Sequence, residues 1–267
     1  MIAIRSGIAS RVVSPLLTIA DVFSSVLVHQ AVRGLARSGG LFFRFELRGT
    51  PDSTMNKISE RLNMQIGNLS NDDFCDARHV AKAKLPTPWG IFDIHGFVIA
   101  DQEHLVIQYG ESLDPQSCLL RIHSECLTGD ALFSQRCDCG AQLKAALEAI
   151  AIRGSGLVLY LRQEGRGIGL VNKLRAYELQ DQGLDTVDAN LHLGFPADAR
   201  DYRVCKPLLH FFGIRGIQLM TNNPRKVDAI ANLGFEIVQR VPITVGAVEH
   251  NHAYLATKAS RFGHMFN

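Results

Sequence analysis

Gly156-Leu-Val-Leu-Tyr-Leu161 decides the fold class of this chain. A run that is apolar at nearly every position is typical of a strand covered on both faces. It leads into a loop over residues 162–169 and a helical pattern from 170 to about 182, and the same order returns in Gly216-Ile-Gln-Leu-Met-Thr221 followed by a helical pattern over 224–233. Because strands that alternate with helices are joined by crossovers, the sequence predicts an α/β fold with a mixed, largely parallel sheet covered by helices.

The sequence before this stretch predicts an N-terminal antiparallel β portion. Residues 83–90 contain two prolines and are expected to form an extended entry, and the strand patterns 91–99 and 104–109 follow as a hairpin. Further patterns predict a strand over 118–123, a helix over 142–152 that ends at Gly154, and a strand over 236–241.

The first part of the chain has a different composition from the rest. Residues 1–54 contain six arginines, no lysine and only three acidic residues. We therefore predict an N-terminal extension over 1–80 and a catalytic domain over 81–267. Three interpretations of the extension stay open: a disordered segment, translated upstream sequence with the true start at Met55, and an organellar transit peptide with an amphipathic helix over 17–32.

The bulk composition excludes several classes of protein. A net charge of +2 with 20% charged residues gives no basic face for nucleic acid. No apolar run approaches the roughly 20 residues that span a bilayer, so no membrane partner is expected. Six cysteines are too few for a disulfide scaffold in 267 residues, which favours the reducing cytoplasm.

Three of the six cysteines, Cys126, Cys137 and Cys139, crowd into one short segment. Thiolates are soft ligands that suit zinc, and a site with three protein ligands keeps a position for water, whose pKa zinc lowers to about 7. Two alternatives stay open from spacing alone. His123 as a fourth ligand would make the zinc structural, and the three cysteines could be unligated core residues.

Two strand-to-helix turns are candidates for phosphate binding. The glycines of the 162–169 loop permit close approach of a ligand, and Arg166 between them offers a guanidinium that grips phosphate; the alternative is a simple turn. Asn223-Pro224 predicts a capped helix start, with Thr221 and Lys226 at the end of a strand; the alternative is a solvated lysine.

Several motifs together resemble the GTP cyclohydrolase II family. Residues 121–140 contain His-Ser-Glu-Cys-Leu-Thr-Gly-Asp and Arg-Cys-Asp-Cys-Gly, which are similar to the signature of that family. The resemblance continues through Tyr160-Leu-Arg-Gln-Glu-Gly-Arg-Gly-Ile-Gly-Leu170, Lys173-Leu-Arg-Ala-Tyr177, Asp198-Ala-Arg-Asp201 and Thr221-Asn-Asn-Pro-Arg-Lys226. It covers the chain from about residue 81 to the C-terminus, and ordered agreement over many motifs is more specific than any one of them.

The resemblance implies roles for individual residues. It makes Cys126, Cys137 and Cys139 the zinc ligands, and it places Tyr177 near the reacting base. It makes Asp198 the proton acceptor and Arg200 the nucleophile of pyrophosphate release. Because a guanidinium is almost always protonated, we expect Arg200 to stabilise charge at the α-phosphorus instead. The residues implied to contact GTP are Arg121, Ile122, His123, Ser124, Glu125, Gln142, Glu164, Gly165, Arg166, Thr186, Thr221 and Lys226.

The resemblance also implies a reaction. The chain is expected to hydrolyse GTP to 2,5-diamino-6-(5-phosphoribosylamino)pyrimidin-4(3H)-one, formate and pyrophosphate, the first step of riboflavin biosynthesis, as a homodimer with Mg²⁺ on the phosphates. Two alternatives are a nucleotide-binding relative with a structural zinc and an enzyme that stops at a formylated intermediate. A bifunctional enzyme that also makes the four-carbon precursor is not expected, because the region before Lys82 is short and lacks a suitable acidic motif.

Overall fold

A computed structural model describes residues 77–265 of the chain. The predicted extension, including its helix over 17–32, lies outside the described residues except for residues 77–80. The first described strand begins at Arg78, so the predicted boundary after residue 80 falls inside that strand. Within residues 77–265, no helix is long and apolar enough to cross a membrane.

The strands of the described region form one mixed sheet. They are β1 (Arg78–Thr87), β2 (Gly90–Ile99), β3 (Gln102–Tyr109), β4 (Cys118–Ser124), β5 (Gly156–Leu161), β6 (Gly216–Met220) and β7 (Glu236–Val241). Their order in the sheet is β1-β2-β3-β5-β4-β6-β7. Strands β1, β2, β3 and β5 pair antiparallel, whereas β5, β4, β6 and β7 pair parallel. The predicted antiparallel portion followed by a largely parallel sheet is confirmed.

The segment predicted as an extended entry is part of a full edge strand. Pro86 lies opposite Ile91 in the pairing of β1 with β2. Proline is tolerated there because an edge strand has one side that needs no ladder hydrogen bond. Lys82 and Lys84 bind Asp93 at 3.0 Å and 2.7 Å, and such edge lysines discourage pairing with another chain.

Helices cover both faces of the sheet. They are α1 (Leu127–Asp130), α2 (Cys139–Arg153), α3 (Leu170–Asp181), α4 (Thr186–His192), α5 (Cys205–Phe211), α6 (Pro224–Asn232) and α7 (His252–Phe262). Helices α2, α3 and α6 confirm the predicted ones, and Asn223 caps α6 by accepting the Arg225 N–H at 3.0 Å. Helices α4 and α5 were not predicted from the sequence, because a helix of seven residues is too short for a clear apolar period.

The core holds the parallel strands from two sides. On one face α2 packs Ala146, Leu147 and Ile150 against the sheet, and on the other α5 and α6 contribute Leu208, Leu209 and Ile230. Within β5, Leu157 and Leu159 belong to one cluster and Val158 to the other, as its apolar run predicts. The sheet centre is therefore fixed on both faces, and the carboxyl ends of its parallel strands are held in register.

Candidate active site

A cleft lies at the carboxyl ends of the parallel strands. Strand β4 leads into Cys126, β5 leads into the turn at Glu164, and β6 leads into Thr221. Open α/β sheets bind ligands at such ends. Every predicted site residue lines this cleft except Ile122 and Asp198, which lie directly behind it.

Cys126, Cys137 and Cys139 meet in the cleft, and we call them the thiol wall. Their sulfur atoms all lie within 4.8 Å of one another, and the sulfurs of Cys126 and Cys137 are 3.6 Å apart. The short helix α1 brings Cys126, which follows β4, close to the start of α2. Gly129 of α1 permits this packing, because a Cβ there would lie 2.9 Å from the Cys137 sulfur.

The thiol wall is a possible metal site with an open position. Among the described residues, no fourth His, Cys, Asp or Glu joins the three sulfurs. His123, the alternative fourth ligand, instead contacts both oxygens of Asp130 through Nε2 at 3.1 Å and 3.0 Å. Hydrogen bonds with Cys137 and Cys139, assisted by the Lys173 ammonium, lower the pKa of Cys126. Hydrogen bonds with Cys126 in turn raise the pKa of Cys137 and of Cys139, so Cys126 is the one thiol of the three whose pKa favours the thiolate that a metal ion requires.

Four basic side chains of the same cleft, Arg121, Arg166, Arg200 and Lys226, form what we call the cationic wall. Lys226 Nζ donates to the carbonyl oxygen of Ile122 at 2.8 Å. Arg121 donates to the Met220 carbonyl at 2.9 Å and to Gln142 Oε1 at 2.7 Å. These partners are neutral, so they orient the cations without balancing their charge.

Among residues 77–265, three of the four side chains of the cationic wall lack a counter-anion, whereas Arg200 pairs with Asp198. No carboxylate of residues 77–265 forms a salt bridge with Arg121, Arg166 or Lys226. Arg121 Nε and Arg166 Nη1 are buried, and their N–H groups have no acceptor within this region. Burial, then repulsion by Arg121 and Arg200, hold the pKa of Lys226 well below its ordinary 10.5. Because buried unpaired charge is costly, this wall is suited to an incoming anion.

Asp198 lies behind Arg200. Its Oδ1 accepts Arg200 Nε–H at 2.8 Å and its Oδ2 accepts Nη2–H at 2.6 Å, while Oδ1 also accepts the main-chain N–H of Arg200 at 3.2 Å. Burial raises the pKa of the Asp198 carboxyl, but Arg200 outweighs this effect and the pKa lies below its ordinary value. The bidentate pair fixes the plane of the guanidinium at the cleft.

Comparison with known proteins identifies the family. The model of the family described as GTP cyclohydrolase II matches residues 78–242, which include both walls. The chain belongs to the GTP cyclohydrolase II family. It is accordingly a hydrolase of the riboflavin pathway with GTP cyclohydrolase activity.

Relatives in the GTP cyclohydrolase II family agree with this match over most of their length. The GTP cyclohydrolase-2 of Hahella chejuensis is 62% identical over 189 residues, which cover 70% of this chain and 91% of that protein. The GTP cyclohydrolase-2 of Pseudomonas entomophila is 59% identical over 188 residues, covering 70% and 92%. A solved two-domain 3,4-dihydroxy-2-butanone 4-phosphate synthase from A. baumannii has a TM-score of 0.37 at 16% identity, covering 70% of this chain and 45% of that one.

In this member of the GTP cyclohydrolase II family, Tyr177 of α3 lies beside the thiol wall. Its hydroxyl is 3.5 Å from Thr128 Oγ1, which is itself 3.7 Å from the Cys126 sulfur. The Arg136 guanidinium lies 4.5 Å above the tyrosine ring. Burial raises the pKa of Tyr177, so the phenol keeps its proton and can donate it.

The Glu164–Gly167 turn presents Arg166 in an unusual backbone conformation. Arg166 has a φ of 61°, in the left-handed region that residues other than glycine rarely occupy. Such strain is found mainly where function requires it. The Arg166 guanidinium lies 4.2 Å over the ring of Phe262, so α7 supports this part of the cationic wall.

Four further predicted residues line the cleft, and two of them form hydrogen bonds within the protein. Glu125 accepts Arg162 Nε–H at 2.9 Å, and Thr221 Oγ1 accepts the Asn223 N–H at 3.0 Å. Thr186 is the first residue of α4, which Asp185 caps. Ser124 Oγ is buried and has no partner within the described region.

Several residues of the cleft had no role predicted from the sequence, among them Lys173, Tyr254, Lys258 and His264. Lys173 had a usable signal, because it stands four residues before Tyr177 and hence on the same helix face. The other three had none, since they lie in or directly after α7, outside the motifs quoted from the sequence. Lys258 pairs with Asp138, whose other oxygen accepts Gln142 Nε2–H at 2.7 Å, and this connects α7 to the thiol wall.

Proposed function

We propose that the chain binds GTP in this cleft and, with zinc at the thiol wall, hydrolyses it to 2,5-diamino-6-(5-phosphoribosylamino)pyrimidin-4(3H)-one, formate and pyrophosphate. One observation supports this most directly: a possible metal site lines the same cleft as a cationic wall in which three of the four cations have no carboxylate partner among the described residues. GTP has a triphosphate for the cationic wall and a base for the thiol wall.

The donor set fits zinc. Three thiolates are soft ligands, and three protein ligands with an open position are typical of catalytic rather than structural zinc. When bound, zinc supplies Lewis acidity and lowers the pKa of water at the open position. Cys126, Cys137 and Cys139 would hold the ion, and Tyr177 would donate a hydrogen bond or proton to the base as its imidazole ring opens.

The cationic wall would hold the triphosphate. The unpartnered donors of Arg121 and Arg166 and the ammonium of Lys226 are the groups available to phosphate oxygens. Arg200 would stabilise the charge that develops at the α-phosphorus. The resemblance makes Asp198 a proton acceptor, but its oxygens are engaged with Arg200, which supports an orienting role.

Mg²⁺ would accompany the phosphates. Apart from the three cysteines, no cluster of three potential metal ligands occurs among residues 77–265. Mg²⁺ commonly keeps several waters and binds through substrate phosphates. Phosphate oxygens and water would therefore supply most of its ligands here.

We further propose that the enzyme is a cytoplasmic homodimer, as the family resemblance implies. Sedimentation velocity of the purified chain would give a species of twice the chain mass. A monomer at micromolar concentration would contradict this part of the proposal.

Incubation of the purified chain with GTP tests the proposed reaction. Zinc-loaded protein with Mg²⁺ is expected to release formate and pyrophosphate in equal amounts, and a zinc chelator is expected to stop formate release. Intact GTP in the zinc-loaded sample would refute the proposal. A formylated product without formate would support the alternative enzyme that stops after ring opening.

A further inference from the structure

Lys173 connects the thiol wall to the Glu164–Gly167 turn. The side chain is buried, and its Nζ lies 3.1 Å from the Cys126 sulfur and 2.8 Å from Glu164 Oε1. It stands on α3 and reaches Cys126, which is 47 positions away in the sequence. An ammonium in this position donates to a thiolate and a carboxylate at once.

The carboxylate of Glu164 is engaged on the protein side. Its Oε2 accepts the Leu127 N–H at 2.7 Å, and its Oε1 accepts the Gly165 N–H at 2.7 Å besides the Lys173 ammonium. Two main-chain N–H groups thus share the stabilisation of this anion. The Lys173 ammonium can therefore also donate a hydrogen bond to the Cys126 thiolate.

The thiol wall requires a compensating positive charge. Three thiolates with a divalent ion carry a net charge of about −1, and an uncompensated buried charge is destabilising. Lys173 is the described cation whose contact with a sulfur of the wall is direct. Groups that hydrogen-bond to metal ligands orient those ligands and tune the metal.

We propose that Lys173 is a positioning residue of the metal site, whose ammonium orients the Cys126 thiolate and offsets the negative charge of the thiol wall. Glu164 holds the ammonium in place and joins the Glu164–Gly167 turn to the main chain after Cys126. The Glu164 side chain therefore acts at the metal site of the cleft. This inference rests on the proposed function in one respect, namely that the thiol wall binds zinc.

Zinc affinity in a set of variants tests the proposal. The variants are Lys173→Met, Glu164→Gln, the double variant, and Lys144→Met as a control at an exposed lysine of α2. Competition with a chromophoric chelator gives each dissociation constant. We expect Lys173→Met and the double variant to bind zinc about 10 to 100-fold more weakly. Glu164→Gln should stay within about threefold of the original chain, because its amide oxygen can still accept from the Lys173 ammonium, and Lys144→Met should match the original chain.

The double variant separates a role toward the metal from a merely structural ion pair. If the pair served packing alone, both single variants would lose zinc affinity alike and the double variant would recover it, which would overturn the proposal. The double variant removes both charges of the Lys173–Glu164 pair, so neither partner of that pair is left alone, and it keeps the test valid if Lys173→Met does not fold.

A spectroscopic measurement addresses the thiolate itself. With Co²⁺ in place of zinc, the sulfur-to-cobalt charge-transfer band is expected to move to longer wavelength in the double variant, because the Cys126 thiolate loses a hydrogen-bond donor. If the double variant has an unchanged band and an unchanged zinc affinity, the proposed role of Lys173 is overturned but the proposed function is not. Failure of the original chain to bind zinc would instead overturn the metal part of the proposed function, and this inference with it.

Discussion

The thiol wall and the cationic wall line one cleft, but they differ in how their charges are satisfied. The Cys126 sulfur has a cationic partner within the protein, Lys173, at 3.1 Å. In the cationic wall, Lys226 and Arg121 have only neutral partners, and two guanidinium nitrogens have none in the described region. The thiol wall, whose charge has a partner within the protein, is suited to a permanently bound metal ion. The cationic wall, in which several positive charges have no anionic partner among residues 77–265, is suited to an anionic ligand that binds and dissociates.

Removal of a thiol should have the largest effect. Cys137→Ser is expected to lower kcat/KM for formate release by about 1000-fold, because a catalytic metal ion contributes several kcal/mol and each factor of ten corresponds to about 1.4 kcal/mol. The bound metal, measured by mass spectrometry, should fall in parallel.

Cys118→Ser is the matched control for the thiol wall. Cys118 is a buried cysteine at the start of β4, outside the metal cluster. This variant should lose stability but keep its metal content and its turnover per folded molecule. Full activity of a metal-free Cys137→Ser protein would show that the thiol wall has no catalytic role.

Lys226→Met should affect activity and stability in opposite directions. We expect kcat/KM to fall by about 100-fold, since a hydrogen bond to a charged group contributes up to about 3 kcal/mol. We also expect the ligand-free protein to melt a few degrees higher, at about 2–4 °C per kcal/mol, because a buried cation that faces Arg121 and Arg200 has been removed.

The stability gain of Lys226→Met should depend on pH. Since the folded pKa of Lys226 lies below its ordinary 10.5, the lysine costs stability fully at pH values below the folded pKa, and this cost disappears as pH rises to about 10.5. The difference in melting temperature between Lys226→Met and the original chain should therefore be smaller at pH 10 than at pH 7. An exposed lysine, Lys206, gives the control Lys206→Met, and a loss of stability in Lys226→Met would contradict the idea of an unsatisfied wall.

Two neighbouring Asp–Arg pairs test whether a carboxylate orients the Arg200 guanidinium of the cationic wall. Asp198 and Arg200 form the same bidentate pair as Asp201 and Arg203, but the first is more buried. Asp198→Asn is expected to lower kcat about tenfold with little change in KM, because Arg200 loses a charged partner but keeps its own charge.

Asp201→Asn is the matched control and should leave kcat within about twofold. If Asp198 were a proton acceptor, its asparagine variant would lose far more activity and the acid limb of the pH–rate profile would disappear. Steady-state kinetics of both variants between pH 5 and pH 9 would distinguish the two roles.

The two walls also differ in how far the sequence predicted them. Cys126, Cys137 and Cys139 lie in one segment, so their spacing alone predicted a metal site. The cationic wall joins distant positions, such as Arg121 and the Met220 carbonyl, which are 99 residues apart. The strand-to-helix turns indicated Arg166 and Lys226, whereas Arg121 and Arg200 were indicated by the family resemblance. Lys258 had no local signal, because its partner Asp138 lies 120 residues away. Lys173 shares a helix face with Tyr177, but its partner Cys126 lies 47 residues away, so its role was not visible from the helix alone.

The strands that were predicted likewise have a local pattern, whereas the strand that was missed depends on pairing with another segment. Long apolar runs such as β5 predicted their strands, because burial on both faces leaves a clear pattern. Strand β1 is mostly exposed and begins with Arg78-His79-Val80, which has no alternation to detect. Its position depends on pairing with β2, and pairing is not visible in a single strand.

The smallest expected effect concerns the support of the cationic wall by α7. Phe262 is buried beneath the Arg166 guanidinium, so Phe262→Leu keeps an apolar side chain but removes the aromatic face. A cation–π contact contributes about 1 kcal/mol, and we expect the KM for GTP to rise about fivefold with kcat unchanged. Phe235→Leu, at a buried core phenylalanine, should lower stability without changing KM. Equal KM values in the two variants would mean that the cationic wall is complete without α7, and that the segment after residue 242 only covers the cleft.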